Sequence, residues 1–221
     1  MPSRRTFIST SAVVAASGGA LGSGGFAEAQ PLPDPERTGA PFDLNALMTR
    51  LSEPAKHRQV FASPRVADGA VLGYMRNSLD AYETGFGEPP GSLRVAAVFY
   101  GRGVALAIDD EAWNAYKLAE ALKKFGESVS HPDRRGNPYW HAPQGENSLE
   151  VLASRGAISM ACNNALKGLA TALSEAAGTH SEDVHAYLRR HLIPGAILVP
   201  AGVAALNAAQ EARFTYVQAT L

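Results

Sequence analysis

The sequence predicts one α/β domain, a three-layer sandwich built on a mostly parallel five-stranded sheet. Three observations carry this. Short apolar runs alternate with amphipathic segments, the pattern of β-α units feeding a parallel sheet. The run Leu93-Arg94-Val95-Ala96-Ala97-Val98-Phe99-Tyr100 is apolar without alternation, as expected for a strand covered on both faces. The 192 residues left after an N-terminal leader suffice for one domain with a proper core.

The leader comes first. Arg4 and Arg5 stand just before Phe7, a weakly apolar stretch of Ala, Val, Gly and Ser runs from Ser11 to Gly25, and Ala27-Glu28-Ala29 offers small residues to a signal peptidase. This is the layout of a cleaved export signal over residues 1–29, and the paired arginines resemble a twin-arginine signal, with an ordinary secretory leader as the alternative. The expected location is a bacterial periplasm. Without Arg4, Arg5 and Glu28 the chain carries 18 basic and 20 acidic residues, a net charge of −2 with histidine neutral. That balance favours neither nucleic acid nor anionic lipid as a partner. No run approaches the ~20 apolar residues that span a bilayer, so no membrane attachment is expected after cleavage.

Pro31, Pro33, Pro35 and Pro41 mark a flexible lead-in, and Asp43 caps a short helix, so residues 30–56 precede the main domain of 57–221. His57 to Ala62 is a short strand. Ala67 to Gly85 places Val71, Leu72, Met75, Leu79 and Tyr82 on one stripe and predicts an amphipathic helix. After the Leu93–Tyr100 strand, Val104 to Ile108 is expected as a loop or short strand lining a crevice. Asp109 to Lys124 is acidic at its start and basic at its end, a single well-capped helix. Residues 126–146 form a long polar loop. Helices are predicted over Asn147–Arg155, Asn163–Ala176, Ser181–Arg190 and Gly202–Arg213. Strands are predicted over Ala157–Ala161, Ala196–Pro200 and Phe214–Gln218.

Cys162 is the one cysteine in the chain. It lies where an apolar strand runs into a helix, a position with free N–H groups and a positive dipole end that favour a thiolate. It has no internal disulfide partner, which leaves a packed thiol, an intermolecular bond or a reactive one. In an open parallel sheet, ligands bind outside the carboxyl ends of the strands, and Cys162 is expected at that rim. The N–H groups of Asn163 and Asn164 would hold an anion beside it. Tyr100, Gly101 and Arg102 end the preceding strand on the same rim. Gly101 and Gly103 would let the backbone approach a ligand while Arg102 meets an anion. Gly101-Arg102-Gly103 is not a nucleotide fingerprint, because no third glycine follows at the required spacing.

The long loop holds His131, Asp133, Arg134, Arg135, Tyr139, Trp140 and His141. This mixture suits a lid over the crevice or an oligomer contact. His131 and His141 match no standard metal spacing, and neither metal nor cofactor is expected. His180, His185 and His191 are read as solvated. Asp109-Asp110-Glu111 has a sufficient structural role in a first helical turn.

The blocks Ala161-Cys162-Asn163-Asn164-Ala165-Leu166, Leu192-Ile193-Pro194-Gly195-Ala196, Val199-Pro200-Ala201-Gly202-Val203, Ala209-Gln210-Glu211 and Phe214-Thr215-Tyr216 resemble, in that order, the DsrE/DsrF-like family. Arg76-Asn77-Ser78-Leu79, Val95 to Gly101 and Val104-Ala105-Leu106-Ala107 extend the resemblance, which covers most of 57–218. It implies a flavodoxin-like sheet, a homo-oligomer, and a cysteine, here Cys162, that carries sulfur as a persulfide between a donor and an acceptor. The chain departs from the family in its longer 126–146 loop, in residues 177–181, and in Asn163-Asn164 where a glycine often follows the cysteine. Two functions remain open: sulfur handling through Cys162, and a non-catalytic ligand-binding or assembly module in which Cys162 is packing.

Overall fold

The structure, a computed structural model, describes residues 42–141 and 147–219. The expected export signal, residues 30–41 of the lead-in and residues 142–146 of the long loop lie outside the described residues.

Helix α1 spans Leu44–Leu51, and the Asp43 carboxylate caps it by accepting from the Ala46 N–H at 2.9 Å. Strand β1, His57–Ser63, is followed by a 3-10 turn, Ala67–Gly69, and by helix α2, Ala70–Asp80. A π-helical turn, Ala81–Gly85, closes that segment. Strand β2, Leu93–Phe99, leads into a 3-10 stretch, Gly101–Ala107. Helices α3, Asp110–Ala115, α4, Leu118–Lys124, and α5, Leu149–Ser154, come next. Strand β3, Ile158–Cys162, runs directly into α6, Asn163–Ala177. Then follow α7, Ser181–Arg190, β4, Ile197–Val199, α8, Gly202–Glu211, and β5, Thr215–Gln218.

The sheet order is β4-β3-β2-β1-β5 and every pairing is parallel. This is the expected flavodoxin-like α/β sandwich. Strand β2 divides its side chains by parity: Val95, Ala97 and Phe99 join one core, Ala96 and Val98 the other. Both sets are buried, which explains the unbroken apolar run. The edge strands β4 and β5 are the shortest of the five, three and four residues long.

Handedness decides which helix covers which face. From β1 to β4 the chain steps along the sheet in one direction, so right-handed crossovers keep α2 through α7 on one face. From β4 to β5 it returns across the sheet, and α8 must take the opposite face, where α1 joins it. Neighbouring strands β3 and β4 therefore send their following helices to opposite faces. That divergence defines a topological switch point, and Cys162 ends one of its two strands.

Several expected elements differ. The helix expected over Ala67–Gly85 becomes regular α-helix only from Ala70, because Ala67, Asp68 and Gly69 all have positive φ, and it passes into the π-helical turn at Ala81. The helix expected over Asp109–Lys124 is broken at Lys117, whose φ is 46°. Trp113 and Leu118 are both buried but five residues apart, about 140° out of phase on one helix, so a break is needed to turn both inward. Val104 to Ala107 is helical rather than extended, Ile108 is extended and bridges to Leu192, and all five are buried. Residues 126–141 form a strap rather than a free loop. Asn137 is 1 % exposed and donates its amide to the carbonyls of Leu106 and Ile108, while Asp110 accepts from the Asn137 N–H at 2.7 Å.

Close backbone approach shapes the β2 end. A Cβ on Gly103 would lie 2.2 Å from the Ser63 carbonyl oxygen, and one on Gly101, whose φ is +51°, would lie 2.7 Å from that of Pro64. Gly103→Ala is expected to lower stability by about 1–3 kcal/mol in urea unfolding, the usual range for forced overpacking. Gly168→Ala is the control. A Cβ there meets nothing within 4 Å, so a gain of about 1 kcal/mol from helix propensity is expected.

Candidate functional site

The loops after β1 and β2 and the end of α4 enclose a cleft of about 700 Å³ against α6. Its walls are Pro64 and Arg65, Gly101 and Arg102, and Phe125 and Glu127. Its floor is Ala165, Gly168, Leu169 and Ala172, one face of α6 at helical spacing. Three of those four residues are Ala or Gly, and that is what leaves the space open.

One ion pair joins two walls. Glu127, with 1 % of its side chain exposed, accepts from Arg65 Nε at 3.2 Å and from the Val66 N–H at 3.0 Å. Arg65 also donates to the Gly126 carbonyl at 2.9 Å. The carboxylate thus satisfies a buried backbone donor as well as a charge, and removing it would orphan the Val66 N–H. Arg102 differs. Its guanidinium stands 5.3 Å from the centre of the Phe125 ring, and among the described residues it has no carboxylate partner.

Cys162 does not line the cleft; it is the N-cap of α6, the helix that forms the floor, and is 5 % exposed. Its backbone is extended, and its sulfur caps α6 by accepting from the Ala165 N–H at 3.4 Å. The Gly202 N–H, the first of α8, donates to the same sulfur at 3.1 Å. One sulfur therefore receives donors from the N-termini of both diverging helices. These donors are not the expected ones. A capping residue bonds to the third residue of its helix, which is Ala165, and the Asn164 N–H is engaged with the Pro200 carbonyl at 3.3 Å. Gly202 allows this arrangement because Tyr100 packs against it; a Cβ there would come 2.6 Å from the Tyr100 Cβ.

The other expected site residues separate. Gly101 and Arg102 line the cleft, whereas Tyr100 packs on the α8 side. Asn164 is exposed at the rim. Asn163 is buried, and its side-chain oxygen meets His185 Nε2 at 2.8 Å. The expected lid does not form as a unit. Tyr139 is 4 % exposed, edge-on to Trp113, and accepts from the Ser130 N–H at 2.9 Å; burial pushes its phenol pKa up to about 12. Trp140 and His141 line a groove with Arg94, Gly156 and Gly195, residues at the starts of the strands, so they lie at the edge opposite the cleft. The cause is the Asn137 anchor, which directs the chain back toward the start of β3. His131 is exposed near Asp68, through Ser130.

Of the histidines read as solvated, only His180 is exposed; His185 is buried, and His191 holds Asp109 at 3.0 Å. Arg65, Phe125, Glu127 and Gly168 were not expected at a site. Arg65 could have been found by applying to β1 the rim argument used for β2. Glu127 could not, since its partner is 62 positions away. Comparison of the chain with protein-family models, curated proteins and solved structures gives no match.

Burial, and then the Lys167 charge, hold the His185 pKa below its ordinary value. A base depressed in the fold is neutral there but protonates in the unfolded chain near pH 6.5. Its stability cost is therefore absent above about pH 6.5 and grows as pH falls toward the folded value. The expected result is a thermal midpoint that declines from about pH 7 to 5 in the parent and declines less in His185→Gln. Equal slopes would remove His185 as the cause.

Proposed function

We propose that this chain is a small-molecule-binding protein that works from the cleft, with Cys162 as a capping and packing residue. The observation that carries the proposal is a pairing of two facts. A cleft of about 700 Å³ opens at the carboxyl ends of β1 and β2, while the one cysteine is 5 % exposed and is not part of its lining. That volume lies within the range of small-molecule sites, and the rim of a parallel sheet is where such sites form. Export through the twin-arginine route to the periplasm belongs to the same proposal and rests on Arg4-Arg5 and the leader that follows.

Amide chemical-shift mapping with a fragment library tests this. Hits are expected to move the amides of Arg102, Glu127, Ala165 and Gly168. Gly168→Leu, which fills the floor without backbone strain, is expected to abolish them while leaving the fold intact. Hits that map elsewhere, or survive Gly168→Leu unchanged, would sink the proposal.

A second reading is favoured by the two N–H donors on the Cys162 sulfur, a donor set suited to a sulfur anion. In this reading, which follows the DsrE/DsrF-like resemblance, the chain is a homo-oligomeric sulfur carrier. The Cys162 thiolate attacks the outer sulfur of a donor persulfide R–S–S⁻. A new S–S bond forms on Cys162, the old one breaks, and R–S⁻ departs with the electron pair. The two readings predict different thiol chemistry. Under the first, an aromatic disulfide reagent titrates no thiol in the native chain and one after denaturation. Rapid native reaction, with gain of one sulfur atom on Cys162 from polysulfide, would replace the first reading by the second.

A further inference from the structure

We infer that the cleft selects organic anions, a carboxylate joined to an apolar aromatic or aliphatic body; this rests on the cleft being the binding site. Three ionised side chains line the cleft: Arg65, Arg102 and Glu127. Glu127 is held by Arg65, which leaves one uncompensated positive charge, that of Arg102. The Arg102 guanidinium is exposed to the cleft and has one orienting contact. It lies over the Phe125 ring, a contact that orders the side chain while leaving its N–H fork available. A planar guanidinium of this kind matches a carboxylate with two parallel hydrogen bonds.

The rest of the cleft is apolar. Leu169, Ala165 and Ala172 form its floor, with Pro64 and Phe125 at its sides. A small hydrophilic anion would leave that surface wet, and an uncharged apolar molecule would leave Arg102 without a partner. Only a ligand with both parts satisfies the whole lining. The N-terminus of α6 adds little attraction of its own, because the Ala165 N–H is engaged with Cys162 and the Asn164 N–H with Pro200. The selectivity therefore depends on one side chain, which makes it separable by mutation.

Phenylbutyrate, phenylbutanol and phenylbutylamine share one apolar body and differ in charge. They are titrated into the full chain by calorimetry, with amide mapping to locate each. The carboxylate is expected to bind roughly tenfold or more tighter than the alcohol, consistent with one charge-assisted bidentate pair. The amine is expected to bind weakest. Arg102→Ala is expected to close the gap between carboxylate and alcohol at the cleft amides, and Arg102→Lys to restore part of that gap. If alcohol and carboxylate bind equally at the cleft amides, the anion class is wrong and the cleft remains the site. An amine preference has the same meaning. If none of the three moves the cleft amides, both the anion class and the binding-site reading are overturned.

Discussion

All five strands run the same way, so each connection must carry the chain from one end of the sheet back to the other. The right-handed preference of those crossovers then assigns every helix to a face before any side chain is considered. Four strands in sequential spatial order place their helices together, and the final return across the sheet puts α8 alone with α1 on the other side. The consequences are local and chemical. The β3 and β4 ends diverge, their two helix N-termini point at the same place, and a residue ending β3 has to satisfy both. Cys162 does so with one sulfur. An alanine there would leave the buried Gly202 N–H without a partner, a cost on the order of 1–3 kcal/mol, and would uncap the part-buried Ala165 N–H. That magnitude gives Cys162 a structural reason to be present that requires no reactivity.

The cleft is a separate product of the same layout. It forms where the loops after β1 and β2 stop short of α6, on the face that carries most of the helices. Glycines and alanines keep it open, and the Arg65–Glu127 pair keeps its walls in register. The pair is half in solvent on the arginine side, where 47 % of Arg65 is exposed, so its Coulomb attraction alone is worth little. Its value lies in the carboxylate, which is buried and also receives the Val66 N–H.

Features set by neighbours in the chain were legible in the sequence. The apolar run of β2, the stripe of Val71, Leu72, Met75 and Leu79, the Asp43 and Asp109 caps, and Cys162 at a strand-to-helix junction all follow from local patterns. Features set by distant residues were not. Asp109 to Lys124 has continuous helical character, and only the demand that Trp113 and Leu118 share a core breaks it. Tyr139, Trp140 and His141 lie in a polar, aromatic stretch that looks like a surface lid. The Asn137 amide, bound to carbonyls some thirty residues earlier, turns that stretch into a core strap. The same limitation hid the site. Gly101 and Arg102 were visible as a strand end, but the pairing of Glu127 with Arg65 and of His185 with Asn163 depends on folding.

The shortness of the two edge strands governs how this protein can meet copies of itself. In a parallel strand only alternate residues turn their N–H and C=O groups outward, so edges of three and four residues expose about two of each. So few groups make a poor template for an added strand. Runaway polymerisation through the sheet is disfavoured even though the sheet itself is rich in alanine and valine. Pairing of sheet edges is therefore a weak route by which copies of this chain could join.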